Sequence, residues 1–308
     1  MRSLAVGQHL ARRLEEVVFA VDAPDQDLTR RVLAEHGFSP WTKAGDETWS
    51  DLLTESDLIC LDRKEPEKLL AQLEPLDRVT IISDRPFKSN CRLFVWPELQ
   101  AGAQRLTDLG YSDDRIAAGP DYVLVRDQIR QLDRRPAGRG QTLVLLGGGD
   151  PGQGLADLVR RLDPLELDFD LCLALADNYP VCSELEQMTK SANHYLEMAI
   201  LSPKLNDWLA TADLAIHGAG TIAYEMFCLG LPGVAVVTAP DQVAEAEWMA
   251  AQDLGPVAEL SRVEEIVSQT ERFLLDPDLG REIGQRRRLA VDGLGPIRVA
   301  ERMLKQLE

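Results

Sequence analysis

The chain has 308 residues, and its 45% hydrophobic content is enough to fill two cores. Its 51 acidic residues outnumber the 33 basic ones, and the formal net charge of -18 argues against a nucleic-acid-binding surface and against anionic membranes. A small anionic ligand is still compatible with this charge, because backbone amides can bind an anion inside an acidic protein.

The five cysteines do not have the spacing of a metal site. They are Cys60, Cys91, Cys172, Cys182 and Cys228. Cys60, Cys172 and Cys228 lie in apolar runs, which favours buried thiols and a reducing compartment. The sequence has no signal peptide and no apolar stretch near the ~18 residues that span a bilayer. We therefore expect a cytoplasmic protein without a transmembrane segment, and we expect neither a metal ion nor a cofactor.

The first half of the chain alternates short apolar runs with amphipathic stretches, which is typical of α/β proteins with parallel strands. The first predicted element is a helix over 3–14, so the sequence opens without the strand that normally starts such a domain. A second helix over 25–36 ends at Gly37, which suits a C-cap. The predicted strands cover residues 17–21, 58–61 and 79–83. The polar stretch at 133–141 is rich in residues that break helices and strands, and it is the best candidate for a linker between two domains.

The second half restarts the same alternation more clearly. Strands are predicted over 143–146, 171–176, 214–216 and 234–238. Helices are predicted up to residue 162 and over 204–211, 241–252, 262–275 and a last stretch up to 307. We therefore predict an N-terminal domain over 1–135, a C-terminal domain over 136–290, and a C-terminal helix within 291–308 that can pack back on the first domain.

Two glycine turns lie in the second half, and each follows a buried strand and precedes a helix. They consist of Gly147, Gly148, Gly149 and Asp150, and of Gly218, Ala219, Gly220 and Thr221. Because the carboxyl ends of parallel strands open at the same edge of a sheet, we expect both turns at one edge. Such a turn can bind phosphate, because its free backbone amides and the positive end of the helix dipole attract an anion.

The helix after the second turn adds one acid. We predict Thr221 as its N-cap, and Glu225 leans back toward the helix start, where it can accept two hydrogen bonds from ribose hydroxyls. The alternative is an ordinary strand–helix connection with Glu225 in solvent, and a lone glycine turn does not decide between the two. The two turns together favour a nucleotide diphosphate site.

Several stretches of the sequence resemble GT-B-fold nucleotide-sugar proteins. In the second half these are LVLLGGGDP from residue 143, DLAIHGAGTIAYEMFCLGLP from 213 and VVTAPDQ from 236. More narrowly, they resemble the UDP-sugar hydrolase of pseudaminic acid biosynthesis and its spore-coat-polysaccharide relatives. Four more stretches match this family in the same order, namely MRSLAVGQHLARRL from residue 1, SDRP from 83, GPDYVLVR from 119 and VDGLGPIRV from 291.

The resemblance implies two Rossmann-like parallel-sheet domains that face a cleft, the N-terminal one lacking its usual first strand. It implies UDP or a UDP-sugar as the ligand, with both glycine turns at the diphosphate, Glu225 at the ribose and Gln242 toward phosphate or sugar. The implied activity is release of UDP from a deoxy-diacetamido sugar in surface or flagellar glycan biosynthesis. A glycosyltransferase with the same donor site and a non-catalytic nucleotide-sugar-binding member are the alternatives.

The sequence departs from the family at the expected catalytic base. The family's histidine belongs to a Gly-x-Gly-His turn that aligns before residue 1, so the full chain is expected to start upstream or to lack this group. The catalytic residues are therefore unknown, with His217 and Asp84 as the remaining candidates. His217 follows a strand beside the glycine turn and could meet phosphate or substrate, but a partly buried histidine bonded to backbone is the more ordinary interpretation. Asp62 and Asp84 both follow strands of the first domain and could meet in the cleft as acid and base, and a capping or solvated role is the alternative for both. The run Arg286-Arg287-Arg288 is interpreted as charge bias at a helix C-terminus or as a solvated face.

Overall fold

The computed structural model describes residues 2–20, 26–41, 56–62, 67–70, 76–147, 153–175, 183–200 and 204–307. Its contacts divide the chain into two compact units. The first unit is Met1–Arg126 together with Leu294–Glu308, and the second unit is Asp127–Gly293. The sequence-based boundaries lie nearby, at 135/136 and 290/291, and the last helix of the chain packs within the first unit.

The first unit contains a four-stranded parallel sheet in the order β3-β4-β5-β6 and a separate parallel pair, β1-β2. The strands are β1 (Phe19–Ala20), β2 (Pro40–Trp41), β3 (Ile59–Asp62), β4 (Val79–Ile82), β5 (Leu93–Trp96) and β6 (Ile116–Ala118). The described helices are α1 (Arg2–Leu10), α2 (Gln26–Glu35), α3 (Glu67–Leu70), α4 (Ala103–Asp108) and, at the end of the chain, α13 (Gly295–Leu304).

Strands β4 and β5 form the centre of this sheet, since every residue of both strands is buried. Alternate side chains serve opposite faces, as the pleat of a strand requires. Ile81 and Phe94 join one core cluster with Leu106 of α4. On the other face, Ile82 belongs to a cluster that contains side chains of α1 and α13, among them Val299. The first and last helices of the chain therefore cover the same face of this sheet.

Some elements of the first unit differ from the sequence prediction. Helix α1 ends at Leu10 instead of residue 14, and the strand predicted over 17–21 is reduced to Phe19–Ala20, with Val21 outside the described residues. Strands β5 and β6 were not predicted. Both are short, with four and three residues, and the polar loops around them conceal the periodicity by which a strand is recognised.

The second unit contains a six-stranded sheet of parallel strands in the order β12-β11-β10-β7-β8-β9. The strands are β7 (Thr142–Leu145), β8 (Leu171–Leu175), β9 (Leu196–Ile200), β10 (Leu214–Gly218), β11 (Gly233–Val237) and β12 (Val257–Glu259). The described helices are α5 (Asp127–Arg130), α6 (Gln153–Leu162), α7 (Ser183–Ser191), α8 (Lys204–Thr211), α9 (Thr221–Cys228), α10 (Val243–Ala251), α11 (Val263–Leu275) and α12 (Pro277–Ala290).

The strand order of the second sheet reverses between β7 and β10. From β7 the chain moves outward through β8 and β9, then returns to place β10 on the other side of β7, and continues outward through β11 and β12. This is the order of a doubly wound sheet, in which the connections leave two adjacent strands in opposite directions and open a crevice at their carboxyl ends. The fold thus creates one special point on the edge of this sheet.

The interpretation of the arginine run at the end of α12 as a solvated face is wrong for its middle residue. Arg287 is fully buried, whereas Arg288 is exposed. The reason is helical periodicity: the buried residues of α12 are Gly280, Ile283, Gly284 and Arg287, which share one face of the helix.

Two further sequence expectations concern thiols and membrane spans. Cys91, Cys172 and Cys228 are buried free thiols and Cys60 is partly exposed, while Cys182 lies outside the described residues. Within the part of the chain that the structure describes, no helix combines the length and apolar character needed to cross a bilayer.

Candidate functional site

The two strands that precede the predicted glycine turns, β7 and β10, lie side by side at the point where the strand order reverses. Strands β7 and β10 are paired with Leu145 opposite His217, so the residues that follow them are neighbours. The contact is close, because a Cβ atom added to Gly218 would lie 2.8 Å from the carbonyl oxygen of Leu146. Gly147 has a φ of +80°, a conformation that favours glycine. Gly148, Gly149 and Asp150 lie outside the described residues.

The second turn leads directly from β10 into α9. Gly220 is the N-cap residue of this helix and Thr221 is its first helical residue, so the prediction of Thr221 as the N-cap is wrong by one position. No side chain caps this end of the helix. The first amides of an α-helix have no acceptor within the helix, and those of Thr221 and Ile222 are in this position. The turn therefore presents backbone donors together with the positive end of a helix dipole.

The side chain of Gln242 lies against this turn. Its Oε1 accepts hydrogen bonds from the amide of Thr238 at 2.8 Å and from the Thr238 hydroxyl at 3.2 Å. Its Nε2 would lie 3.3 Å from a Cβ atom on Gly220. Because a backbone amide can only donate, the Thr238 contact fixes which end of the Gln242 amide is oxygen. The Nε2 group, a donor, is thus the end that lies beside the glycine turn.

Glu225 lies one turn into α9 and is partly buried. The next helix along the chain, α10, contributes a second acid to the surroundings of α9 that sequence reasoning missed. Glu245 is only 3% exposed and accepts a hydrogen bond from the hydroxyl of Tyr224. In the stretch VAEAEWMAA, Glu245 shares a helix face with Met249, four positions later, and this spacing is the sequence signal that distinguishes it from the exposed Glu247. The buried hydrogen bond between Tyr224 and Glu245 thus links α9 to α10.

His217 is completely buried at the end of β10. Its Nδ1 lies 3.0 Å from the carbonyl oxygen of Gly218, and its Nε2 lies 3.3 Å from Nη1 of Arg287. Burial, and secondarily the charge of Arg287, lowers the pKa of this imidazole to about 3. Both ring nitrogens are thus engaged by the protein, and the ring is neutral near pH 7, which fits a structural role instead of contact with a ligand.

His217 should make the stability of the second unit depend on pH. Its pKa is about 3 in the folded protein against an ordinary value of 6.5, so between these values the unfolded chain binds a proton that the folded chain does not. The contribution is complete above pH 6.5 and is lost as the pH falls toward 3. We expect a loss of about 2 kcal/mol in unfolding free energy between pH 7 and pH 5 from this group.

Urea unfolding followed by circular dichroism at both pH values measures this loss. The variant His217→Asn has no titrating group at this position, so its unfolding free energy should fall by about 2 kcal/mol less than that of the wild-type protein. An identical pH dependence in the two proteins would contradict the assignment of a neutral, buried His217.

Asp62 and Asp84 come together in the first unit, at the carboxyl ends of the neighbouring strands β3 and β4. Arg2 donates a hydrogen bond to each carboxylate, at 2.6 Å to Asp62, and the amide of Ser3 donates to Asp62 at 3.3 Å. Asp62 is thus at the start of helix α1, where a carboxylate caps the helix and opposes its dipole. The capping alternative for Asp62 is the one that the structure shows, and Asp84 is an ion-paired carboxylate that is 46% exposed.

No group of three or more His, Cys, Asp or Glu side chains with the arrangement of a metal site occurs among the described residues. Among the described residues, the candidate site consists of Gly147, the turn from Gly218 to Gly220, the start of α9, Glu225 and Gln242. In chemical terms its described residues offer backbone and amide donors at the turn and a carboxylate one helical turn further along α9.

Comparison with known proteins adds one sequence relative and many structures. No protein-family model matches the chain. The chain is 28% identical over 199 residues to the spore coat polysaccharide biosynthesis protein SpsG of Bacillus subtilis (strain 168), and this match spans 60% of the chain and 57% of that protein. The chain thus matches a little over half the length of this relative.

Two solved structures illustrate the fold. The glycosyltransferase of kitacinnamycin has a TM-score of 0.68 and 16% identity, with 100% of this chain and 95% of that chain covered. The UDP-GlcNAc 2-epimerase of Neisseria meningitidis, solved with bound UDP-GlcNAc, also has a TM-score of 0.68, with 12% identity and 99% and 98% coverage. These matches confirm the predicted architecture of two parallel-sheet α/β domains. The chain has the GT-B fold and resembles a spore coat polysaccharide biosynthesis protein in sequence.

Proposed function

We propose that the second unit binds the UDP moiety of a UDP-sugar at the carboxyl ends of β7 and β10. The observation that carries this proposal is the coincidence of two features: both glycine turns follow the two strands between which the strand order reverses. In open parallel sheets, ligands bind in the crevice at this point. A glycine turn at any other strand would have no such meaning.

The diphosphate fits the donors that meet at this crevice. The amides at the start of α9 and Nε2 of Gln242 all donate, and the helix dipole adds positive potential. These groups supply positive potential without a basic side chain, so a protein with a net charge of -18 can still hold an anion there. On this proposal, Gly147 to Asp150 line the diphosphate from the side of β7.

The ribose fits Glu225. A helical side chain leans toward the N-terminus of its helix, so the Glu225 carboxylate is directed back toward the turn that holds the phosphates. A carboxylate accepts hydrogen bonds and does not donate them, which matches two adjacent hydroxyl donors. The spacing of five residues from Gly220 to Glu225 corresponds to the separation between the phosphate and ribose ends of a nucleotide.

The reaction that we propose is processing of the UDP-sugar in glycan biosynthesis. In the hydrolase version, water attacks the anomeric carbon and releases a proton to solvent, the bond from this carbon to the phosphate oxygen breaks, and UDP leaves with its charge held by the backbone donors. A transferase would use the same donor site with another acceptor hydroxyl in place of water. The names of the structural relatives, a glycosyltransferase and a UDP-sugar epimerase, support a nucleotide-sugar ligand for this fold.

Binding of UDP by the purified chain tests this proposal. We expect UDP to raise the unfolding temperature, with about 2.7 kcal/mol of stabilisation at 100 times the Kd, and UMP and GDP to stabilise less. Glu225→Ala should weaken UDP binding about 100-fold or more, because two hydrogen bonds to a charged group are lost. The matched control is Glu247→Ala, which removes an exposed carboxylate of α10 and should leave the Kd unchanged.

The ligand can be changed as well as the protein. Glu225→Ala should have little effect on 2′,3′-dideoxy-UDP, which lacks the hydroxyls that we assign to this carboxylate. An equal loss of affinity for both nucleotides would contradict the ribose assignment, and no stabilisation of the wild-type chain by UDP would contradict the site itself. Release of UDP from UDP-sugars, measured with and without an acceptor, then separates a hydrolase from a transferase.

A further inference from the structure

Arg287 is held in the interior of the second unit by backbone carbonyls. Its Nε donates to Leu254 at 2.7 Å, its Nη1 to Leu231 at 2.8 Å and its Nη2 to Gly233 at 2.7 Å. The guanidinium carbon lies 4.8 Å from the centre of the Phe227 ring, a cation–π contact. These contacts leave the guanidinium little freedom, so it is a fixed neighbour for the ring of His217.

The contact between Arg287 and the ring of His217 determines which ring nitrogen of His217 carries the proton. Nη1 of Arg287 lies 3.3 Å from Nε2 of His217, and an arginine has only donors. Nε2 must therefore accept, which puts the proton of the neutral ring on Nδ1. Nδ1 is 3.0 Å from the carbonyl oxygen of Gly218 and donates to it. Arg287 thus selects the tautomer of His217 that can bond to the glycine turn.

The bond to Gly218 fixes one end of a peptide group within the turn. The other end of the same peptide, the amide of Ala219, donates to the carbonyl of Val236 at 2.8 Å. The peptide between Gly218 and Ala219 is therefore held on both sides from within the protein. Gly220 and the first amides of α9 follow immediately, so their directions depend on this peptide.

We propose that Arg287 and His217 are positioning residues of the nucleotide site, which hold the Gly218 peptide so that the amides after it face the phosphates. The inference rests on the proposed function and adds two residues that do not touch the ligand. Donors in a binding site act through their direction, and a tilt of 10–20° or a shift of about 0.5 Å is enough to weaken them. A residue that only filled space would affect stability and leave the affinity for UDP unchanged.

Two substitutions of His217 separate these roles. His217→Asn retains an amide donor near the place of Nδ1, whereas His217→Phe retains the ring volume and removes the donor. We expect His217→Phe to raise the Kd for UDP by about tenfold or more at a temperature where it is folded, and His217→Asn to stay within about threefold of wild type. Equal affinity of wild type and a folded His217→Phe protein would overturn the proposal.

A measurement without ligand tests the pairing of Arg287 and His217 separately. Nitrogen-15 NMR of the imidazole should show the Nδ1–H form in the wild-type protein, and a mixture of tautomers in Arg287→Met. An Nε2–H form in the wild-type protein would overturn the proposal even if UDP binds, and it remains decisive if His217→Phe does not fold. Failure of the wild-type protein to bind UDP would instead overturn the proposed function, with the tautomer unchanged, so the two failures can be told apart.

Discussion

Gly233→Ala should unfold the second unit or cost it more than about 4 kcal/mol of unfolding free energy. Gly233 is the first residue of β11 and has a φ of +148°, which side chains rarely adopt. A Cβ atom there would lie 1.7 Å from the carbonyl oxygen of Ala215, its partner in β10. Backbone in the middle of a sheet cannot move away without breaking the pairing of β10 with β11.

Urea unfolding of the purified variant measures this cost, with loss of folded protein as its extreme form. The matched control is Gly280→Ala in α12, where the nearest atom to a new Cβ is 3.6 Å away, an ordinary contact. Because alanine favours a helix over glycine, this control should gain up to about 1 kcal/mol. A Gly233→Ala protein as stable as wild type would contradict the register of β10 and β11.

The two-domain α/β architecture could be predicted from the sequence because its strongest signals are local. Runs such as 143–146 and 234–238 are apolar throughout, as strands covered on both faces are, and glycine turns separate them from helices. Strands β9 and β12 were not predicted, because neither is an uninterrupted apolar run. Each contains a glutamate, as in LEMAI and VAE, because it lies at an edge of the sheet, where fewer side chains are covered.

The candidate site was predictable to a similar degree. Glycine turns after buried strands are visible in the sequence, and parallel strands put them at one edge. The strand order is not visible, since it depends on which strands pair, and so the placement of both turns at the reversal point had to come from the structure. The same holds for Gln242, whose orientation depends on the Thr238 amide.

The burial of Arg287 is indicated by the helical spacing of the sequence. Ile283 is a core residue of α12, and a residue four positions later shares its face of the helix. The positive charge of the run 286–288 predicts exposure to solvent for all three side chains, whereas the helical period predicts that Arg287 is buried. Periodicity prevailed because the carbonyls of Leu231, Gly233 and Leu254 converge there and replace the water that a guanidinium would lose.

Arg287→Met should therefore cost about 3 to 5 kcal/mol of unfolding free energy. Methionine fills a similar volume without a donor, and three buried carbonyls and the Nε2 of His217 lose theirs, at about 1–3 kcal/mol for each unsatisfied group. The total is smaller than the sum, because a buried charge and its desolvation cost are removed as well.

The neighbouring arginine provides the comparison that isolates burial from charge. Arg286 forms an ion pair at 2.5 Å with Asp253, whose side chain is 80% exposed, and such pairs contribute no more than about 1 kcal/mol. Arg286→Met removes the same charge from the same helix, one residue away, and should change the unfolding free energy by no more than this. Urea unfolding of both variants measures the difference, and equal costs would mean that the carbonyls around Arg287 do not stabilise the second unit as described.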